Sequence, residues 1–347
     1  MTRTIVRPVD LDLESPGQRD YSVGLEHDTM WGQHLIPLSV WVGPNAEAGK
    51  GLVAFGSIHG NEYEGPVSLK NLLHEIDIDD VGGRIIIVPV LNVEAFRTGT
   101  RDSAGADGVN LNRAFVDGAG QTRSMAGITH RIAAFVRESI WPNVHAVVDI
   151  HSGGNQIRFD LCTSFHPIDD PEQGRIIEET ARAFGTPLVI TYQNETPGLL
   201  TSEAERLGKF TVGSELGWGE SVNHQGVAYA MHGVRAAAIQ HGQMNGEIQP
   251  IGHQADRTQR MASIVDAECY VAAPFAGHYE EVIPCGTRVK VGDVVGRLHD
   301  FDRIDDPAWP ARAGVDGIVV GTAWAARVRQ GQHIVCVGRE MEFGTGA

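Results

Sequence analysis

His59 and Glu62 lie three residues apart in Gly56-Ser57-Ile58-His59-Gly60-Asn61-Glu62-Tyr63-Glu64-Gly65-Pro66, the stretch of this sequence best suited to chemistry. An imidazole and a carboxylate are two of the three protein ligands a catalytic zinc takes, its fourth position staying open to water. Alone the pair is weak, because a histidine at a turn usually serves only a local hydrogen bond. Two more segments strengthen it. His145-Ala146-Val147-Val148-Asp149-Ile150-His151 is a short apolar run ending in a histidine. Strand alternation puts Asp149 on the same face as His151, where a carboxylate orients a ligating imidazole. Lys209-Phe210-Thr211-Val212-Gly213-Ser214-Glu215 is a third such run, ending in an acid.

These residues need strands behind them. Residues 52–55 are an apolar run, and an amphipathic helical pattern (Val67, Leu69, Leu72, Leu73, Ile76) follows. His59 and Glu62 therefore sit past the carboxyl end of a strand, where open α/β sheets bind ligands. Gly60 permits a sharp turn there. Residues 84–91 are almost continuously apolar, as in a sheet buried on both faces. Helical patterns cover 123–141, 171–184, 198–207 and 225–240, and this alternation predicts an α/β fold. Its expected form is a mostly parallel mixed sheet covered by helices on both faces. Within the first fifty residues, 21–25 and 34–42 read as antiparallel entry strands. Residues 93–121 lack periodicity, and a loop of that length is usually functional; it carries Arg101 and Arg113.

The order His59-Gly60-x-Glu62, Asn110-Leu111-Asn112-Arg113, Asp149-Ile150-His151-Ser152 and Gly213-Ser214-Glu215 resembles the succinylglutamate desuccinylase/aspartoacylase family over residues 50–245. Those proteins are zinc-dependent amidohydrolases related to the zinc carboxypeptidases. The resemblance implies a zinc carboxypeptidase-like fold and one zinc per chain on His59, Glu62 and His151. It implies Glu215 as general base, with Glu64 the next candidate. Asn112 and Arg113 would hold a substrate carboxylate, and Arg101 would polarise the scissile carbonyl. The substrate would be a small-molecule N-acyl amino acid and the acyl group acetyl. Members acting on acetyl-aspartate carry an arginine ten residues before the general base. Glu205 stands there in this chain, where an acid repels an acidic side chain and attracts an ammonium. A one-residue slip making Arg206 the equivalent, or a helix face turned to solvent, remains open. The amino-terminal stretch and His59-Gly60-Asn61-Glu62-Tyr63-Glu64-Gly65-Pro66 resemble the branch that deacetylates N-acetyl-L-2,4-diaminobutyrate in ectoine degradation, which is the first expectation. The alternatives are a deacylase of an acidic amino acid, of aspartoacylase or succinylglutamate desuccinylase type, and a zinc carboxypeptidase.

After residue 246 the composition changes. Residues 246–260 are polar and read as a linker, which divides the chain into a catalytic domain, 1–250, and a smaller β-domain, 265–343. The segments around 273–277 and 289–296, then 314–320 and 328–335, resemble the half-barrel repeat of lipoyl and biotinyl domains. The connection between the halves, residues 299–313, has no lysine to carry either group. The expectation is a structural β-domain that narrows access to the active site.

At 347 residues the chain exceeds a usual single core. Lys plus Arg number 28 against 44 Asp plus Glu, a net charge of −16, which argues against a nucleic-acid or anionic-membrane partner. Cys162, Cys269, Cys285 and Cys336 form no Cys-x-x-Cys pair, so a cysteine metal site is not expected, and sparse cysteines suit a reducing compartment. No signal-peptide-like amino terminus or membrane-length apolar run is present, and a cytoplasmic location is expected. A homo-oligomer stays open. His130, His232 and His241 fall in helical patterns and read as surface or packing residues. His224 is undecided, and His278, Glu280 and Glu281 read as solvated.

Overall fold

The computed structural model describes residues 3–26, 31–116, 127–192, 196–252 and 258–344. The chain enters through Thr4–Val6 (β1), Gly17–Glu26 (β2) and Gln33–Val42 (β3), the last two paired antiparallel along their whole length. Alternating strands and helices follow: Leu52–Gly56 (β4), Glu64–Leu72 (α1), Arg84–Val88 (β5), Val93–Thr98 (α2), Ile128–Phe135 (α3) and Ala146–His151 (β6). Next come Ile157–Phe159 (β7), Cys162–Phe165 (β8), Pro171–Ala183 (α4), Leu188–Tyr192 (β9), Leu200–Arg206 (α5), Phe210–Glu215 (β10) and His224–Gln240 (α6). The remainder is β structure: Arg260–Ile264 (β11), Tyr270–Ala272 (β12), Gly277–Glu281 (β13), Arg288–Val289 (β14), Val294–His299 (β15), Trp309–Arg312 (β16), Gly317–Ala323 (β17), Arg327–Val328 (β18) and His333–Met341 (β19).

The main sheet runs β1-β2-β3-β5-β4-β6-β10-β8-β9-β11-β19-β17-β14. Its centre, β5-β4-β6-β10, is parallel, and β8 enters antiparallel to β10. Pleating divides the core in two. Val53, Phe55, Ile86, Val88 and Val147 face one side with Ile128, Ile132 and Phe135 of α3 and Leu200 and Ala204 of α5. Leu52, Ala54, Ile85, Ile87 and Val148 face the other side with Leu69 and Leu72 of α1, Ile177 of α4 and Val234 of α6. Both faces are thus covered by helices, which is why these strands carry no polar alternation.

The carboxyl-terminal strands are continuous with this sheet. β11 lies parallel to β9 and antiparallel to β19, and β7 lies against β17. A smaller sheet, β16-β15-β13-β18, completes the module, whose own core includes Val295, Leu298, Ile318, Val319 and Val337. Within it β14 pairs with β17 and β13 with β18.

Two helical expectations change. Over 123–141, residues 123–126 lie outside the described residues, and the α-helix ends at Phe135. A π turn, Val136–Ile140, and a 3-10 turn, Trp141–Asn143, follow; Pro142 cannot supply the N–H that would continue the helix. Within 93–121, the expected loop begins as helix α2. Asn92 caps it by accepting from Ala95 N, and Gly99 ends it at φ 64°, the usual paired start and stop signals.

Candidate active site

The register of three strands assembles the site. Gly56 of β4 pairs with Ile150 of β6, and His151 pairs with Glu215 of β10. His151 and Glu215 are therefore lateral neighbours, one step beyond the end of β4. The turn after β4 then delivers His59 and Glu62. It begins with buried Ser57 at φ 56°, a left-handed conformation that costs a β-carbon residue of order 1 kcal/mol. The Ser57 carbonyl accepts from Asn92 N at 2.9 Å, binding the turn to the start of α2. Gly60 has an ordinary negative φ. Its requirement is space: a Cβ would stand 1.9 Å from the carbonyl carbon of Ala95.

His59 Nδ1 lies 2.8 Å from Glu62 Oε1, and His151 Nδ1 lies 2.9 Å from Glu62 Oε2. Ser152 N donates to the same Oε2 at 3.0 Å, and Arg101 Nη1 to Oε1 at 3.0 Å. Asp149 Oδ2 lies 2.9 Å from His151 Nε2, the contact that would keep the proton on Nε2 and give Nδ1 to a metal. Two imidazole nitrogens and a carboxylate oxygen, all within 4.8 Å of one another, form the donor set of an open zinc site.

Burial and mutual contact shift the acids and imidazoles of the cluster in different directions. Burial opposes ionisation of Glu62, yet His59 and His151 hold it well below the usual carboxylate range. Burial also disfavours a charged His151, but Asp149 and Glu62 hold its pKa well above the ordinary imidazole value. Glu215, with no basic hydrogen-bond partner, is pushed up to about 8 by burial and by the Glu62 charge. Its Oε2 is buried without a partner, as are His59 Nε2 and Asp149 Oδ1.

A cavity of about 350 Å³ opens on this cluster. Thr211, Gly213 and Glu215 share one face of β10 by alternation and line it. Gly213 leaves the middle of that wall bare; a Cβ there would stand 2.7 Å from Ser164 Oγ. Arg101, Asn112 and Arg113 line another side. Asn112 Oδ1 accepts from Leu200 N at 2.9 Å, fastening that loop to the start of α5. Arg113 is exposed, and its Nη1 donates to the Asn112 carbonyl at 2.6 Å. Glu205, in the last turn of α5, lies in the cavity wall, its carboxylate held by His166 and Thr211, while Arg206 is exposed. The inward position is thus occupied by the acid.

The family model for the succinylglutamate desuccinylase/aspartoacylase catalytic domain matches residues 48–239. The chain belongs to that family. It is 32% identical over 321 residues to the N-alpha-acetyl-L-2,4-diaminobutyric acid deacetylase of Halomonas elongata, covering 91% of this chain and 89% of that one. The product-bound structure of the Ectoine utilization protein EutE (DoeB) from Ruegeria pomeroyi superposes with a TM-score of 0.84 at 30% identity, covering 95% of this chain and 98% of that one. A succinylglutamate desuccinylase/aspartoacylase structure from Rhodobacter sphaeroides gives 0.84 at 27% identity, covering 96% and 98%.

In this aspartoacylase-family chain the cavity also takes residues that the motifs did not single out. His166 follows β8, Tyr192 ends β9, and Tyr270 of β12 brings the carboxyl-terminal module to the site. His166 carries a legible signal, a histidine just past a short strand, as at His151. Tyr270 has none, because only the sheet's continuation through β11 and β19 carries it there. Glu64 does not line the cavity. Its Oε1 accepts from Asn223 N at 2.9 Å, behind the cluster. His241 closes α6, and its Nε2 lies 3.1 Å from Thr180 Oγ1, a packing role.

Proposed function

We propose that this protein is a zinc-dependent deacetylase of an N-acetyl amino acid, with N-α-acetyl-L-2,4-diaminobutyrate as its substrate, as in ectoine breakdown. The observation that carries the reading is one cavity with a His-Glu-His cluster and Glu215 at one end, and Arg113 and inward Glu205 on its walls. The name of the Halomonas relative supports this substrate, and that of the Ruegeria relative supports a place in ectoine utilization.

His59, Glu62 and His151 would hold one zinc, which when bound makes a water acidic enough to attack near neutral pH. Glu215 then takes the proton of the attacking water, and burial suits it to return that proton to the leaving amine. Arg101, on the Glu62 side of the cavity, donates to the developing oxyanion. Arg113 with Asn112 grips the substrate's α-carboxylate, since a guanidinium can bond both oxygens and so fixes orientation as well as charge. Glu205 supplies negative charge for the γ-ammonium. The catalytic part, residues 1–250, does the chemistry, and the β-module, 265–343, closes one wall through Tyr270.

Hydrolysis rates over N-acetyl amino acids with basic, neutral and acidic side chains test the reading. The expected order is N-acetyl-diaminobutyrate, then N-acetyl-alanine, then N-acetyl-aspartate. A preference for N-acetyl-aspartate would leave the hydrolase reading standing and overturn the assigned substrate.

A further inference from the structure

We propose that His166 is the specificity residue that receives the substrate's distal ammonium, through Nε2, with Glu205 acting from behind as its positioning residue. The proposal rests on the diaminobutyrate reading of the cavity and names the atom that would make the selection. His166 lines the cavity and is only 7% exposed. Its Nδ1 stands 2.9 Å from Glu205 Oε2 and 3.1 Å from Oε1, and Thr211 Oγ1 donates to Oε1 at 2.5 Å. An ionised carboxylate has no proton to give, so the imidazole proton on this contact belongs to Nδ1. In the neutral ring Nε2 then carries a lone pair.

Nδ1 is the nitrogen that Glu205 holds, the ring lines the cavity, and among the described residues Nε2 has no hydrogen-bond partner, which makes it the nitrogen left for a ligand. Glu205 already receives two protein donors, and its side chain is 5% exposed. Its charge therefore reaches the ligand chiefly through the ring, by fixing the tautomer. A single lone pair in a fixed direction accepts one N–H of a primary ammonium and offers nothing to a methyl group of the same size. This distinguishes it from a bare acid, which attracts any cation.

The test compares N-acetyl-2,4-diaminobutyrate with N-acetylnorvaline, which has a methyl in place of the ammonium, on zinc-loaded wild type, His166→Asn and His166→Gln. Asparagine keeps an N–H where Nδ1 stood and removes Nε2. His166→Asn should raise KM for the diamino substrate roughly 10- to 100-fold, the value of a hydrogen bond to a charged group, with kcat and the norvaline constants little changed. Glutamine sets an amide oxygen near the Nε2 position and should recover part of the loss. If His166→Asn folds poorly, His166→Gln alone must still shift KM for the diamino substrate and spare the isostere. Equal damage to both substrates, or an undiminished preference for the diamino substrate, overturns the proposal. Wild type with no such preference overturns the substrate reading too, so the two failures are told apart.

Discussion

At the residue scale, the buried acids govern behaviour. His59 and His151 supply two of the three donors gathered at the cluster with Glu62. His59→Ala and His151→Ala should therefore each lose most of the approximately one zinc per chain that three ligands hold, read by metal analysis of the purified variants. Full metal in both would move the site elsewhere. Glu215→Gln keeps the three ligands. It should retain zinc while turnover falls roughly 100-fold or more, the usual scale of general acid–base help; near-normal turnover would pass the role to another group. Glu215 also links stability to pH in the metal-free protein. Its folded pKa of about 8 lies above the ordinary 4.5, so the folded chain holds that proton more tightly than the unfolded chain. The resulting stability is fully present below about pH 4.5 and is lost as pH rises to about 8. Melts of chelated wild type should fall over that window relative to chelated Glu215→Gln, and parallel curves would contradict the burial argument. Glu205→Arg should depress hydrolysis of N-acetyl-diaminobutyrate and raise that of N-acetyl-aspartate, because it exchanges a like charge for an opposite one in a partly dry site. An unaltered order would show that position 205 does not read the side chain.

At the scale of elements, the turn between β4 and α1 is held by its neighbour α2. Ser57 O is bonded to Asn92 N, and Gly60 lies against the Ala95 backbone. Gly60→Ala forces those backbones apart, at a cost of order 1–3 kcal/mol. It should lower the melting temperature and weaken zinc retention together, since the same turn aims His59 and Glu62. A variant with wild-type melting and metal content would mean the turn relaxes freely. The histidine-and-glutamate turn and the strand ends were legible because apolar runs and glycine punctuation mark them locally. Helix α2 was read as loop, although Asn92 and Gly99 mark its ends, because six residues give too few turns for periodicity to register. The break after Phe135 was less so, because a π turn keeps the apolar spacing nearly helical.

At the scale of the whole molecule, a net charge of −16 surrounds a cavity that on the proposed reading admits a carboxylate. N-acetyl-diaminobutyrate carries one charge of each sign and feels little long-range field, whereas N-acetyl-aspartate carries two negative charges. Raising ionic strength toward 0.15 M shortens the screening length to about 8 Å. It should therefore increase kcat/KM for the dianion more than for the zwitterion. Equal salt responses would show that local arginines, not the global field, set access. The carboxyl-terminal module enters the same argument, because β11 and β19 extend the catalytic sheet and carry Tyr270 into the cavity wall. No helix among the described residues is long and apolar enough to cross a membrane.

The sequence by itself determined the covered parallel sheet, the three strand ends and the residue types gathered there. Each depends on local pattern: apolar runs of strand length, turn glycines, and a histidine or acid immediately after. Tertiary structure decided what those residues touch. The β6–β10 register set His151 beside Glu215, and the end of α5 turned Glu205 inward and Arg206 out. The antiparallel β8 brought His166 to Glu205, thirty-nine positions away along the chain. Such pairings depend on register and crossing rather than spacing, and a one-residue change in either would present the opposite face.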